Sequence, residues 1–149
     1  MKTIVVVTED GHIARALSEF VRTVLSEMYP APFQVLPACS ADDVLCIVGR
    51  QPIDVLMTDH HLLGMTGLDL IRWLGTGLTG TVKILLTNDS RILAAPWKFA
   101  GSEVNAVLAR PLERESLKLT LQRWLEAPTK TDQQAPNSGS CLRSGPNCR

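Results

Sequence analysis

Along residues 1–127, short apolar runs alternate with stretches in which apolar residues recur every three or four positions. The runs at 3–7, 33–38, 53–58, 82–86 and 104–109 are largely continuous rather than alternating, as strands covered on both faces require. Between the first two, Ile13, Leu17, Phe20, Val21, Val24, Leu25 and Met28 form a helical stripe that Pro30 stops. Ser40 is placed to cap a second helix, which carries Val44, Ile47 and Val48 and ends at Gly49. A third follows Gly67 with Leu70, Ile71 and Leu74, and Gly75 and Gly77 end it. A fourth, around 90–100, is interrupted by Pro96 and is expected to be short or bent. A fifth runs from Glu113 with Leu117, Leu121, Trp124 and Leu125. Five short β-α units predict an α/β fold, an open, doubly wound five-stranded parallel sheet with helices on both faces.

From 128 to 149 the composition turns to Pro, Ser, Asn, Gln, Gly and Thr, with Leu142 the single large aliphatic residue. Too little apolar surface is present to offset the entropy of ordering, so a disordered tail or linker is expected beyond a domain at 1–127. Lys plus Arg and Asp plus Glu are 15 each, a net charge of +0. Lys130, Arg143 and Arg149 against Asp132 leave the tail at +2 and residues 1–127 at −2. That balance gives no pull toward nucleic acid or anionic membrane, and no stretch approaches the roughly 18 apolar residues of a span. The N-terminal run meets Glu9 and Asp10 too soon for a signal peptide. Cys39, Cys46, Cys141 and Cys148 lack C-x-x-C spacing, so free thiols in a reducing, cytoplasmic setting are expected. An electrostatic DNA binder, a secreted disulfide scaffold and a membrane protein are all disfavoured.

Ligands in such sheets bind at the carboxyl ends of the strands, near the point where strand order reverses. There the first strand runs into Thr8-Glu9-Asp10, the third ends in Asp59, the fourth in Thr87 and the fifth in Arg110-Pro111. Acids, a hydroxyl and a cation at four strand ends suit phosphoryl chemistry. Carboxylates hold a divalent cation, one carboxylate attacks, and the hydroxyl and cation neutralise the phosphoryl oxygens. Singly, each residue also fits a helix cap, a turn or a solvated charge; their joint placement makes the case. Asp54 lies at the beginning of the third strand, the wrong end, where a helix-facing or capping role is expected.

Residues 52–67, with Asp59 inside Met57-Thr58-Asp59-His60-His61 and then Met65-Thr66-Gly67, resemble the phosphoacceptor segment of two-component response-regulator receiver domains. Leu86-Thr87 resembles that family's Thr/Ser at the end of strand four, and Arg110-Pro111 takes the place of its Lys-Pro. The resemblance covers residues 1–127 and implies a flavodoxin-like strand order, 2-1-3-4-5. It further implies that Asp59 takes a phosphoryl group from a histidine kinase or phosphotransfer protein. Mg²⁺ would be held by Glu9, Asp10, Asp59 and the backbone carbonyl of His61. Thr87 would bond a phosphoryl oxygen and report phosphorylation, with Arg110 as the cation. Output would come by contact with a downstream protein or from an output domain outside these residues, without direct binding to nucleic acid or membrane. A homodimer through the fourth helix, fifth strand and fifth helix is the family's usual surface, though Pro96 alters its geometry.

Three departures from the family stand out. Its Lys is Arg110, a larger planar fork; its loop Pro is Leu63; and its aromatic switch residue on strand five is Val107. The acidic pair has two registers. Matching Arg15 to the family's helix-one Arg pairs Glu9 with Asp10, whereas matching 4–7 to the strand pairs Thr8 with Glu9. Adjacent His60 and His61 on an extended loop are expected to point apart, His60 to the surface and His61 into the phosphoryl pocket. His12 is expected on a helix surface. Trp73, Trp97 and Trp124 are expected to pack, Trp97 nearest a partner surface. Beyond self-phosphorylation and autodephosphorylation on Asp59 no enzyme activity is expected. The alternatives are a degenerate receiver acting as a phosphorylation-independent interaction module and an aspartyl-nucleophile phosphatase. Against the phosphatase, His61 stands where haloacid-dehalogenase-like enzymes carry a second Asp. Glu9-Asp10-Gly11-His12 is not the glycine-rich loop of a dinucleotide site.

Overall fold

The five apolar runs form one sheet in the computed structural model, which describes residues 1–30, 32–99 and 103–125. In chain order the elements are β1 (Lys2–Val7), α1 (Gly11–Met28), β2 (Phe33–Ala38), α2 (Ala41–Val48) and β3 (Val55–Asp59). A two-stranded pair, β4 (His61–Leu62) and β5 (Met65–Thr66), precedes α3 (Gly67–Leu74) and a 3-10 turn, Gly75–Leu78. Then come β6 (Val82–Thr87), α4 (Ser90–Ala94), α5 (Pro96–Phe99), β7 (Ala106–Ala109) and α6 (Arg114–Leu125). The large sheet is parallel throughout, in the order β2-β1-β3-β6-β7. Counting those five strands alone, this is the expected 2-1-3-4-5. Two units emerge, Met1–Leu117 and Lys118–Arg149. The expected tail at 128–149, with Cys141 and Cys148, lies outside the described residues.

The unbroken apolar runs follow from burial on both faces. Ile4, Val5, Val6 and Val7 have no exposed surface, nor do Val55, Leu56 and Met57. Alternation sends Val5, Val7 and Leu56 into a core with Val44 and Ile47 of α2 and Leu70, Ile71 and Leu74 of α3. On α1 the buried stripe is rotated from expectation. Ala14, Ser18, Val21, Val24 and Leu25 are buried, while Ile13 is 43% exposed, because small residues let the helix lie close to the sheet. Ser40 caps α2 as expected, its Oγ accepting from Asp43 N at 3.1 Å. Thr66 and Asp69 form a reciprocal capping box on α3 that the sequence reading passed over. The fourth predicted helix splits at Pro96, and Ala95 leaves helical geometry because a residue before proline is pushed toward extended backbone.

Asp54 does not cap or face a helix. Its Oδ2 accepts from Thr3 N at 2.8 Å, its N–H donates to Thr3 O, and its carbonyl accepts from Val82 N at 2.9 Å. It thus closes the lower edge of β1, β3 and β6. Trp73 does not pack either. The buried residues of α3 lie along one stripe, and Trp73 falls off it, 55% exposed. Trp97 is 70% exposed, and Trp124 is half-buried beneath the Arg123 guanidinium. Among the described residues, no helix is long and apolar enough to cross a membrane.

Candidate functional site

The parallel register gathers the predicted polar residues at one edge of the sheet. Asp59 pairs with Leu86, Thr87 with Ala109, and Val7 with Thr58, so the residues after β1 lie level with Asp59. Glu9, Asp59, His61, Leu86, Thr87, Asn88, Arg110 and Pro111 line a cleft of about 400 Å³. Asn88 belongs to no motif in the sequence reading; its place one step past a strand end was the sole signal for it.

Asp10 is absent from that lining because α1 uses it. Its Oδ1 accepts from His12 N at 2.8 Å and Ile13 N at 3.4 Å, and the Thr8 hydroxyl donates to its carbonyl at 2.8 Å. Thr8 thus lies level with Asp59, Glu9 reaches the cleft, and Asp10 caps α1. Asp10→Ala is expected to lower the unfolding free energy by about 1 kcal/mol in chemical denaturation, the usual loss on removing an N-cap side chain.

Asp59 is 8% exposed and its Oδ1 is paired directly with the Arg110 guanidinium. Burial dominates its ionisation and pushes its pKa above the ordinary carboxylate value. The hydrogen bond and charge of Arg110 oppose that rise, Glu9 adds to it, and His61 works against it. Stability contributed by the neutral acid is thus present at low pH and lost as pH rises through the folded pKa. Thr87 is buried at the end of β6, its Oγ1 accepting from Asp89 N at 3.0 Å. Serving as acceptor there leaves its own proton to be donated into the cleft. The Arg110–Pro111 peptide bond is cis.

The loop after Asp59 corrects the expectation for the histidine pair. His60 is half-buried rather than on the surface, and its Nδ1 is enclosed without a partner among the described residues. Burial, and after it the neighbouring His61, lowers its pKa below the ordinary imidazole value. The His60 and His61 rings meet edge-on, centroids 5.1 Å apart, because the loop curls into the β4–β5 pair instead of running straight. Gly67 N donates to His60 O at 2.7 Å. Antiparallel alternation then makes His61 and Thr66 a non-hydrogen-bonded pair, so the His61 carbonyl lies outside the ladder. His12 is exposed, and Cys39 and Cys46 are free thiols.

Among the described residues, no group of three or more His, Cys, Asp or Glu side chains is placed to hold a metal. The oxygen donors in the cleft still suit a hard cation such as Mg²⁺. The carboxylates of Glu9 and Asp59 line the cleft, and with one backbone carbonyl they would make the partial protein shell that Mg²⁺ accepts while keeping several waters.

No protein-family model and no curated protein sequence matches the chain. Solved structures do. A signal receiver domain of an HD domain-containing protein from Pseudomonas fluorescens Pf-5 is 25% identical with a TM-score of 0.66, over 84% of this chain and 94% of that one. A putative response regulator from Chloroflexus aurantiacus J-10-fl gives 25% and 0.66, over 84% and 98%. The response regulator TrrA from Thermotoga maritima, in complex with Mg(2+)-BeF, gives 19% and 0.65, over 83% and 99%. With its five parallel strands in the order β2-β1-β3-β6-β7, this chain has the fold of response-regulator receiver domains.

Proposed function

We propose that the chain is a phosphoacceptor module of a two-component phosphorelay, taking a phosphoryl group on Asp59 from a histidine kinase or phosphotransfer protein. The observation that carries this reading is the convergence of Glu9, Asp59, Thr87 and Arg110 in one cleft at the carboxyl edge of the sheet. Asp59 supplies the attacking oxygen, held near its seat by the end of β3, and its O–P bond would form as the P–N bond to the donor's histidine breaks and that imidazole leaves. Arg110 already touches the carboxylate, so a short movement of its fork reaches the transferred group and neutralises it. Thr87 donates its hydroxyl proton to a second phosphoryl oxygen. Glu9, Asp59 and the His61 carbonyl would hold Mg²⁺, which supplies charge neutralisation at the phosphoryl oxygens when bound. The structure of TrrA in complex with Mg(2+)-BeF, on the same fold, supports a Mg²⁺ site here.

Output then differs from the family's aromatic relay, from which Val107 departs. Val107 on β7 offers no ring to follow Thr87, but Thr87 Oγ1 is bonded to Asp89, the cap of α4. Movement of Thr87 toward a phosphoryl group pulls on that cap, and the signal leaves by protein contact at α4. A second reading, a phosphorylation-independent interaction module, draws on Val107 and on the Arg110–Asp59 pair, which neutralises the acceptor without metal.

The two separate in one experiment. Beryllium fluoride with Mg²⁺ is expected to shift the amide resonances of Asp59, Thr87 and their neighbours, and Asp59→Asn is expected to abolish the response. Absence of any Mg²⁺-dependent shift at millimolar concentrations overturns the phosphoacceptor reading in favour of the interaction module. Steady release of phosphate from a phosphate ester would instead point to an aspartyl phosphatase.

A further inference from the structure

We propose that Arg110 is a resident counter-cation that competes with divalent metal for Asp59, so that the cleft loads metal only when the guanidinium lets go. The inference rests on the phosphoacceptor reading and deepens it.

Three observations carry it. The guanidinium is paired directly with Asp59 Oδ1, and the Asp59 side chain is only 11% exposed, so little of the carboxylate remains for a second cation. The acid that would strengthen a metal site is missing, because Asp10 is spent on the α1 cap and Thr8 brings no charge. Glu9 is then the one other carboxylate in the cleft lining, and Arg110 cancels half of the formal charge of Glu9 and Asp59 together. A dication entering beside a bound guanidinium meets like charge in a partly enclosed space, where repulsion is poorly screened. The Arg110 side chain is 29% exposed, which gives it a way out toward solvent at the cleft mouth.

Chemistry distinguishes arginine from lysine in this role. A planar fork keeps a carboxylate by directed hydrogen bonds and sheds little hydration to do so, whereas an ammonium is compact and strongly hydrated. Arg110 is thus the more tenacious competitor. Apparent metal affinity is the intrinsic affinity multiplied by the fraction of molecules in which the pair is open.

The test is a calorimetric titration of the full chain with MgCl₂, followed in parallel by the amide resonances of Thr87 and Asn88. Arg110→Ala is expected to bind Mg²⁺ at least tenfold more tightly than the wild type, with Arg110→Lys between the two. Asp59→Asn in the Arg110→Ala background is expected to remove the binding. Equal or weaker binding by Arg110→Ala, while the wild type still responds to beryllium fluoride with Mg²⁺, overturns the competition and leaves the phosphoacceptor reading standing. Failure of every variant to bind Mg²⁺ overturns both. The Arg110→Lys variant, which keeps a cation in place, covers any loss of folding in Arg110→Ala.

Discussion

Gly67→Ala is expected to destabilise the protein by about 3 kcal/mol, near the upper end of what overpacking in a filled interior produces. A Cβ at this position would lie 2.2 Å from the Asp59 carbonyl oxygen and 2.9 Å from Leu85 Cδ1. The nearer obstacle is the backbone of a buried strand, which cannot turn aside as a side chain does. Gly67 N is meanwhile tied to His60 O. The first turn of α3 must therefore lift away from β3, and the β4–β5 pair and the seat of Asp59 move with it. Thermal unfolding is expected to fall by roughly 10 °C, with a weakened response to beryllium fluoride. Gly11→Ala is the control, because nothing lies within 4 Å of an added Cβ there, and its unfolding temperature is expected to hold or rise. Equal behaviour of the two variants would show that α3 has more room against β3 than the structure gives it.

Arg110→Ala is expected to slow phosphorylation of Asp59 by a small acyl phosphate donor about a hundredfold at saturating Mg²⁺, the usual loss when one charge-stabilising donor is removed. The same variant is the one expected to bind Mg²⁺ more tightly. Tighter metal with slower transfer is a combination that simple damage to the cleft does not produce, since damage weakens both. Rapid-quench measurement of the phosphorylated fraction against time, at several metal concentrations, separates the two effects. An unchanged rate at saturating metal would remove Arg110 from the transfer step.

The fold was legible because its strands are buried on both sides. Ile4 to Val7 has no polar face to alternate with, and that unbroken run, repeated between helical stripes, admits little besides a covered parallel sheet. Ser40 and Pro96 were equally plain, since a cap and a helix break act within a few residues. Harder to see was anything settled by competition between neighbours. Both Asp10 and Glu9 are acids past the end of β1, and the demand of the α1 N–H groups, absent from any residue pattern, assigns Asp10 to the helix. Strands of two residues, as in β4 and β5, are too short to show a period, so the curl that brings His60 against His61 left no trace in the sequence. Asp59 and Arg110, 51 residues apart, were legible as neighbours at one sheet edge from their strand-end positions, but their direct pairing follows from the register of β3, β6 and β7.

The split at Pro96 bears on where the molecule yields first. An isolated helix of under about 12 residues does not hold itself together in water, and α4 and α5 have five and four. Ile92 is the single buried residue of α4, so tertiary contacts add little. In hydrogen exchange this segment is expected among the less protected, opening without the unfolding of the sheet beneath it. It also begins three residues after Thr87. This weakly held stretch is therefore coupled to the cleft through the hydrogen bond that Asp89 N donates to Thr87 Oγ1 at 3.0 Å, and rearranging it is expected to require little of the free energy that holds the domain folded.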